Sequence, residues 1–597
     1  MLTAQSTFLP TGSDWHFFVE RLEIMQGRHI PQIHTSLKPF ERKAIITFLE
    51  QSYTNPVPLT AIGQPPTSNV QHPIPNSQQP TPIDLHLIDR LLQSHPEWSS
   101  VPSDSTPGRG GWLCTRIPIT RHVYAYPSDF IRYQSDEFFV SVNPVLDLQV
   151  GREQGADKPL YRNTRGMEMR GMISGRVGFY TFLAENQARL PGYVDDHRRA
   201  FYSGAIPGDG WAKAFKDGGV DYFTARGYIS LEATRHIGLQ FGQDKLRIGS
   251  GIRSLLLSDF SNNYLFLRVS TRYRFFQYQN TWARLTDYPM RTVGRAYDTK
   301  YSITHHLSLN LGGRFQLGLF ENVTTGRSDP SGRRGLDPHY LNPIIFYRAI
   351  EHHVGDPDKV AVGLDWRWLA TPGLSFYGQA YIDEFRINDI RDDLDSLLVR
   401  AGLRKERKRE GYASFANKFA VQLGTRVADP FGIQNLDLQA EINLVRPYVY
   451  THWDTSGQDQ RPGASYTHYS QPLAHPLGAN FREWALYGEY RPHHRVTLSA
   501  SYIQYVQGRD ADGLNYGGNI LKDYHFGRPQ PESAYFLDGV RTSVSLLEFG
   551  ASWQFWPGWH LEGRYLTRSE EVESVSERVN IVTVGVRVNA VGRRDYL

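Results

Sequence analysis

From about Phe138 to the C-terminus the chain alternates apolar and polar residues with a period of two. Successive side chains of an extended strand point to opposite faces, so each such run has one apolar and one wet face. Within 547–555, Leu547, Phe549, Ala551, Trp553 and Phe555 share one face, against Glu548, Ser552 and Gln554. Val496, Leu498, Ala500 and Tyr502 alternate with Thr497, Ser499 and Ser501, and Val582, Val584, Val586 and Val588 with Thr583, Gly585 and Arg587. A chain written this way can fold only as a large β-structure.

The connections narrow the choice. Short turns fall at Ser174-Gly175, Thr234 to His236, Thr271 to Arg274, Gly312-Gly313, Thr371 to Gly373, Pro492 to His494 and Pro557-Gly558. Long polar connections lie between them, at roughly 187–225, 249–263, 286–300, 325–358, 386–414, 451–480, 508–542 and 569–578. Tight turns on one side and large loops on the other characterise outer-membrane barrels, whereas a soluble sandwich or propeller has no reason to keep that rule. The reading is a mainly β protein: a transmembrane antiparallel up-and-down β-barrel of about eighteen strands, wide enough for an aqueous lumen unless something fills it. Closure is required because an open sheet edge in lipid leaves amides unpaired.

Residues 1–130 follow a different period and read as a helical, Pro-rich periplasmic region, with 131–597 as the barrel. Trp15, Phe18, Val19 and Leu22 share one helical face after Asp14; Phe40, Ala44, Ile45 and Phe48 do so after Pro39, placed in a first turn. A third helix starts near Asp84 as its cap, with Leu85, Ile88, Leu91 and Leu92 on one side. The intervening stretch carries Pro56, Pro58, Pro65, Pro66, Pro73, Pro75, Pro80 and Pro82, a composition for extended linkers. The first strand must start on the short-turn side, which puts this region in the periplasm.

Composition agrees. Mean hydropathy is -0.46 and no run reaches the length of a membrane helix. The 34 Tyr, 31 Phe, 12 Trp and 53 Gly suit interfacial girdles and crowded barrel walls. A net charge of +4 argues against a nucleic-acid partner, and Cys114 alone cannot form an intrachain disulfide. Met1 to Ser6 lacks a secretory signal, so Ala4 before Gln5 reads as the end of a leader whose upstream part precedes Met1.

Three blocks resemble the capsule-assembly Wzi family of outer-membrane proteins, and within it the Bacteroidetes branch known as gliding-motility protein RemB. The first is Gly242-Gln243-Asp244-Lys245-Leu246-Arg247-Ile248-Gly249-Ser250-Gly251 with Leu257-Ser258-Asp259-Phe260. The second is Asn342-Pro343, Phe346-Tyr347-Arg348, Glu351, Gly355-Asp356-Pro357-Asp358 and Gly363-Leu364-Asp365; the third is Tyr516-Gly517-Gly518-Asn519-Ile520 with Asp523-Tyr524. The resemblance implies an eighteen-stranded outer-membrane barrel helping to attach capsular or exopolysaccharide, or an envelope component of gliding. Partners would be lipid and lipopolysaccharide, the polysaccharide, and envelope or gliding-machinery proteins.

No catalytic machinery or cofactor is expected. Glu351, His352, His353 and Asp356 have metal-ligand chemistry without the spacing of a zinc helix, and Gly249-Ser250-Gly251 lacks the ending of a phosphate loop, so its glycines read as a turn or a close backbone approach. Ser302, His305 and His306 share one strand without an orienting group or oxyanion site. The candidate polysaccharide-binding residues are the cations of one outer loop, Arg404, Lys405, Arg407, Lys408 and Arg409, and the rings Tyr450 and Trp453 of another. Cations pair with acidic polymer and rings stack on sugar faces. A passive diffusion porin is the third alternative.

Overall fold

The computed structural model describes residues 6–54, 79–99, 128–287, 297–326, 328–329, 332–333, 335–343, 358–384, 414–453, 462–511 and 513–592. An antiparallel barrel of 18 strands closes on itself. Its first half comprises β1 (Phe138–Glu153), β2 (Leu160–Ile173), β3 (Val177–Arg189), β4 (Gly219–Thr234), β5 (Ile237–Asp244), β6 (Tyr264–Tyr273), β7 (Phe276–Thr286), β8 (Thr299–Leu311) and β9 (Phe315–Thr324). The second comprises β10 (Lys359–Thr371), β11 (Leu374–Glu384), β12 (Lys418–Ala428), β13 (Leu436–Val445), β14 (Phe481–His493), β15 (Val496–Arg509), β16 (Val540–Trp556), β17 (Trp559–Val572) and β18 (Val575–Val588). The seam joins β18 to β1, with Ile581 opposite Glu153 and Val588 opposite Leu146.

Tight turns gather at one end. Ser174 and Gly175 have φ of 49° and 62°, and Gly312 and Gly313 of 61° and 72°. Positive φ at both central residues gives a turn whose twist matches the paired strands. Three connections depart from the expected pattern. The proposed long loop at 569–578 is a two-residue hairpin turn, Glu573-Ser574, because β17 and β18 keep pairing to Val572 and Val575. Asp429 to Asn435 is a short-end turn between β12 and β13, and Gln154 to Pro159 is a brief long-end connection between β1 and β2.

The facing read from the sequence holds: Phe549, Trp553, Leu498, Val582 and Val584 are exposed on the outer wall. Leu148, Phe223, Phe241, Leu319, Trp368, Leu423 and Trp484 extend this apolar band around the barrel. Towards the long-connection end of β14 to β18 the chemistry reverses. Outward positions become polar, as at Arg482, Gln504 and Arg578, while Phe481, Ile503, Val544, Leu546, Leu566 and Ile581 turn inward and are buried.

Polypeptide fills the lumen there. The connection from Lys245 to Asn263 folds inward, with the amides of Ile252 and Arg253 donating to Glu441 (2.7 and 3.1 Å) and that of Leu255 to Gln379 (2.7 Å). Gly249, at φ 126°, leaves room for the wall: a Cβ there would lie 2.2 Å from the Gln379 amide nitrogen. The Gly249 to Gly251 stretch is thus a close backbone approach. Leu255 and Leu256 are fully enclosed among Tyr381, Tyr450 and Tyr466, each side chain contributing about 1.5–3 kcal/mol by leaving water.

The opposite end holds α1 (Asp14–Gln26), α2 (Arg42–Leu49) and α3 (Pro82–Gln93). Helix α2 starts three residues after Pro39, which therefore lies outside its first turn. The cap of α3 is Thr81 rather than Asp84: Thr81 Oγ1 accepts the Asp84 amide (3.0 Å), and the Asp84 carboxylate accepts the Thr81 amide (3.1 Å). Asp84 is the third helical residue of a capping box. Most of the Pro-rich linker, 55–78, lies outside the described residues.

Buried charge docks these helices onto the wall. Arg21 bonds Asp84 (3.1 Å), Asp429 (2.7 Å) and Asp437 (3.1 Å), while Glu20 meets Arg426 (3.0 Å) and Glu23 meets Arg367 (2.6 Å). Beyond α1 the chain enters the lumen, where Leu37 pairs with Ile248 and the Gly249 amide donates to Ser36 O (2.7 Å).

Candidate functional site

At the long-connection rim, the ends of β11 and β12 meet the segments 448–453 and 523–528. Antiparallel pairing carries Asp383, Glu384 and Lys418 to the rim, since β11 ends where β12 begins. Lys418 Nζ donates to Glu384 (2.9 Å), and Lys359 pairs with Asp383 while donating to Thr451 O (3.0 Å). The other carboxylate oxygen of Asp383 accepts the Tyr450 amide (2.8 Å), fixing the descending segment to the wall.

Rings cluster over these charges. Lys418 Nζ lies 3.8 Å from the centroid of Tyr524 and 4.4 Å from that of Phe415, and the Arg528 guanidinium lies 4.0 Å over Phe415. Cation–π contacts are attractive because the ring face is negative. Phe415 packs edge-on against Tyr448 (5.0 Å) and Tyr524 (5.4 Å), and Trp453 lies 5.8 Å from the His525 ring. Asp523 Oδ1 accepts the His525 amide (2.7 Å), and Asn515 bonds Asp523 O (3.0 Å). Burial pushes the Tyr524 and Tyr448 hydroxyls up, so both stay protonated donors. His525 and Phe526 are exposed, and Trp453 is half-buried. The surface offers the rings of His525, Phe526 and Trp453 with the part-exposed Arg528 and Glu384, over a buried Lys418, a combination suited to a polyhydroxylated chain.

Of the residues chosen from sequence, Trp453 belongs to this cluster. Tyr450 does not reach its surface: it is fully enclosed 4.7 Å from the Tyr381 ring and donates its hydroxyl to Leu255 O (2.8 Å). It is held there because 448–453 descends into the lumen. Arg404, Lys405, Arg407, Lys408 and Arg409 lie outside the described residues, as do Glu351, His352, His353 and Asp356. Phe415, Lys418, His525 and Arg528 complete the cluster without having been singled out from the sequence, and Tyr524 was noted there only as part of a family block. Tyr524-His525-Phe526 was the available signal, a ring triplet inside a polar connection.

Ser302 forms no pair with the histidines of β8. It faces inward, accepting from Asn322 Nδ2 (2.7 Å), whereas His305 faces outward and meets the Tyr278 hydroxyl (3.0 Å). His306 shares the inner face but sits four residues, about 13 Å, along the strand. It pairs with Asp365 at 2.6 Å.

No protein-family model matches the chain, and no curated protein matches it. Among solved structures, OccAB2 of Acinetobacter baumannii and the outer membrane protein OprD of Pseudomonas aeruginosa each align with 75% of this chain at 10% identity. They are covered to 97% and 92%, with TM-scores of 0.39 and 0.38. Wzi, an outer-membrane protein involved in group 1 capsule assembly in Escherichia coli and described as a carbohydrate-binding β-barrel, aligns over 99% of this chain and 99% of its own at 11% identity. With a TM-score of 0.51, this chain is similar to Wzi in its fold from end to end.

Proposed function

We propose that this protein is an outer-membrane barrel that holds capsular or exopolysaccharide at its long-connection rim without catalysing a reaction on it. The observation that carries the reading is the cluster of Phe415 and Tyr524 around Lys418 and Arg528, continued through His525 to Trp453. The apolar outer band supports membrane insertion, and the full-length fold likeness to a carbohydrate-binding barrel supports the ligand class. In this reading the rim faces outward and the helices lie in the periplasm. Arg404, Lys405, Arg407, Lys408 and Arg409 would add a second, electrostatic contact to acidic polymer or lipopolysaccharide phosphate.

The test is glycan retained per inserted barrel. Trp453→Ala combined with Tyr524→Ala should lower retention about fivefold with insertion unchanged, since stacked rings contribute roughly 0.5–1.5 kcal/mol each. Neutralising the five loop cations together should lower retention and reduce its dependence on salt, because exposed charges are screened over about 8 Å at physiological ionic strength. Full retention in both variants would refute the reading. External protease that rapidly cuts the 53–82 linker in intact cells would reverse the orientation. A gliding or secretion accessory would instead co-purify with motility proteins, and a diffusion porin would need the lumen that the inward connection occupies.

A further inference from the structure

A cavity of about 90 Å³ lies between the N-terminal segment and the inner wall of β5, β6 and β7. The wall side is polar: Gln240 stands opposite Arg268 across the β5–β6 ladder, and Ser270 and Arg272 stand opposite Gln279 and Gln277 across β6–β7. Phe8, His34 and Glu41 line the other side, and the exposed Thr234 and Arg235 of the β4–β5 turn edge the mouth. This is the short-turn end, opposite the rim, so nothing here depends on the glycan reading.

The cations around the cavity are not treated alike. Arg272 is paired with Glu41 (3.2 Å). Arg268 is 3% exposed, and among the described residues its guanidinium makes neither an ion pair nor a hydrogen bond; it lies 4.6 Å over the Phe8 ring. Its donors face the cavity without a protein acceptor, while the lining carboxylates Glu41 and Glu232 are engaged by Arg272 (3.2 Å) and Lys43 (3.8 Å), and an anion would complete it. Gln240 is 2% exposed, and both atoms of its carboxamide lack a partner. His34 uses Nδ1 towards the Ser308 hydroxyl (2.7 Å) and leaves Nε2 unpartnered. Burial holds His34 at about 3, so the ring is neutral and donates from Nε2 when Nδ1 accepts.

We propose that this cavity binds an oxyanion, a phosphate or carboxylate group, seated on Arg268 with Gln240 and His34 as further donors. The group can arrive as free inorganic anion or as the acid function of a sugar. Calorimetric titration of the detergent-purified full chain with inorganic phosphate and, separately, with glucuronate distinguishes these sources. Saturable binding of either supports the site and identifies its preferred anion. Arg268→Met and Gln240→Leu should each weaken that binding about tenfold, the scale of a lost charge-assisted hydrogen bond, with heat-modifiable folding unchanged. Should Arg268→Met fail to fold, Gln240→Leu and selenate-soaked crystals decide, the latter through an anomalous peak beside Arg268. No saturable binding of either probe at millimolar concentration, or binding unaffected by the variants, would mean that the cavity holds water alone and would overturn the proposal.

Discussion

A single guanidinium ties three parts of the chain together: Arg21 of α1 reaches Asp84 of α3 and, on the wall, Asp429 and Asp437. Arg21→Met removes the cation shared by three carboxylates; Asp437 keeps Arg426 (3.4 Å), Asp429 the Asn435 amide and Asp84 the Thr81 amide, so the cost is at the lower end of the about 3–5 kcal/mol for breaking a buried pair. The expected result is rapid proteolysis of the N-terminal region in a barrel that still shows heat-modifiable folding; unaltered resistance would show the triad to be dispensable. On the wall, Leu498→Arg should hinder assembly more than Ser499→Arg, because a cation on the lipid face costs roughly 2–4 kcal/mol near mid-bilayer. Equal folded fractions on gels would contradict the facing. Facing was legible residue by residue because alternation is a local property of a strand. The enclosure of Tyr450 was not, since it depends on two connections meeting inside the barrel, at Leu255 O.

The helical elements carry a pH dependence of their own. His16 Nε2 accepts the Phe40 amide (3.2 Å), and His95 Nε2 accepts from Arg42, so both rings must stay unprotonated. Burial, reinforced by the charge of Lys38, lowers His16 to about 3; burial beside Arg42 and Arg170 holds His95 well below the ordinary value. When the N-terminal region unfolds these rings protonate near 6.5, so its fold is fully stable above that pH and weakens as pH falls, down to about 3 for His16. For His16 the loss approaches about 1.4 kcal/mol for each pH unit between those limits, and His95 adds a loss of the same sign. Protease resistance of the N-terminal region should therefore fall between pH 6.5 and 4 while the barrel bands remain, and a flat profile would rule this out. The three helices were legible from their apolar faces, but the start of α3 turned on one threonine hydroxyl. The Glu573-Ser574 hairpin was hidden because polar residues on strands rising out of the apolar band look the same as a polar loop.

For the whole molecule, the segment around Leu37 and the inward connection around Ile248 meet inside the lumen, and closure by the two together is the expectation. In planar bilayers the intact barrel should conduct weakly. Removing residues 6–54 together with 246–259 should raise conductance by about an order of magnitude, towards that of an open eighteen-stranded lumen. High conductance of the intact protein would contradict the closure. The reversal of chemistry along β14 to β18 has a further consequence. With the apolar band in lipid as proposed, hydrocarbon would wet the wall only below Arg482, Gln504 and Arg578, and that level would act as a waterline. The wall above it, lined inside by Phe481, Ile503 and Leu546, would stand as a collar, and a polymer held at the rim as proposed would be carried at a set height over the lipid headgroups.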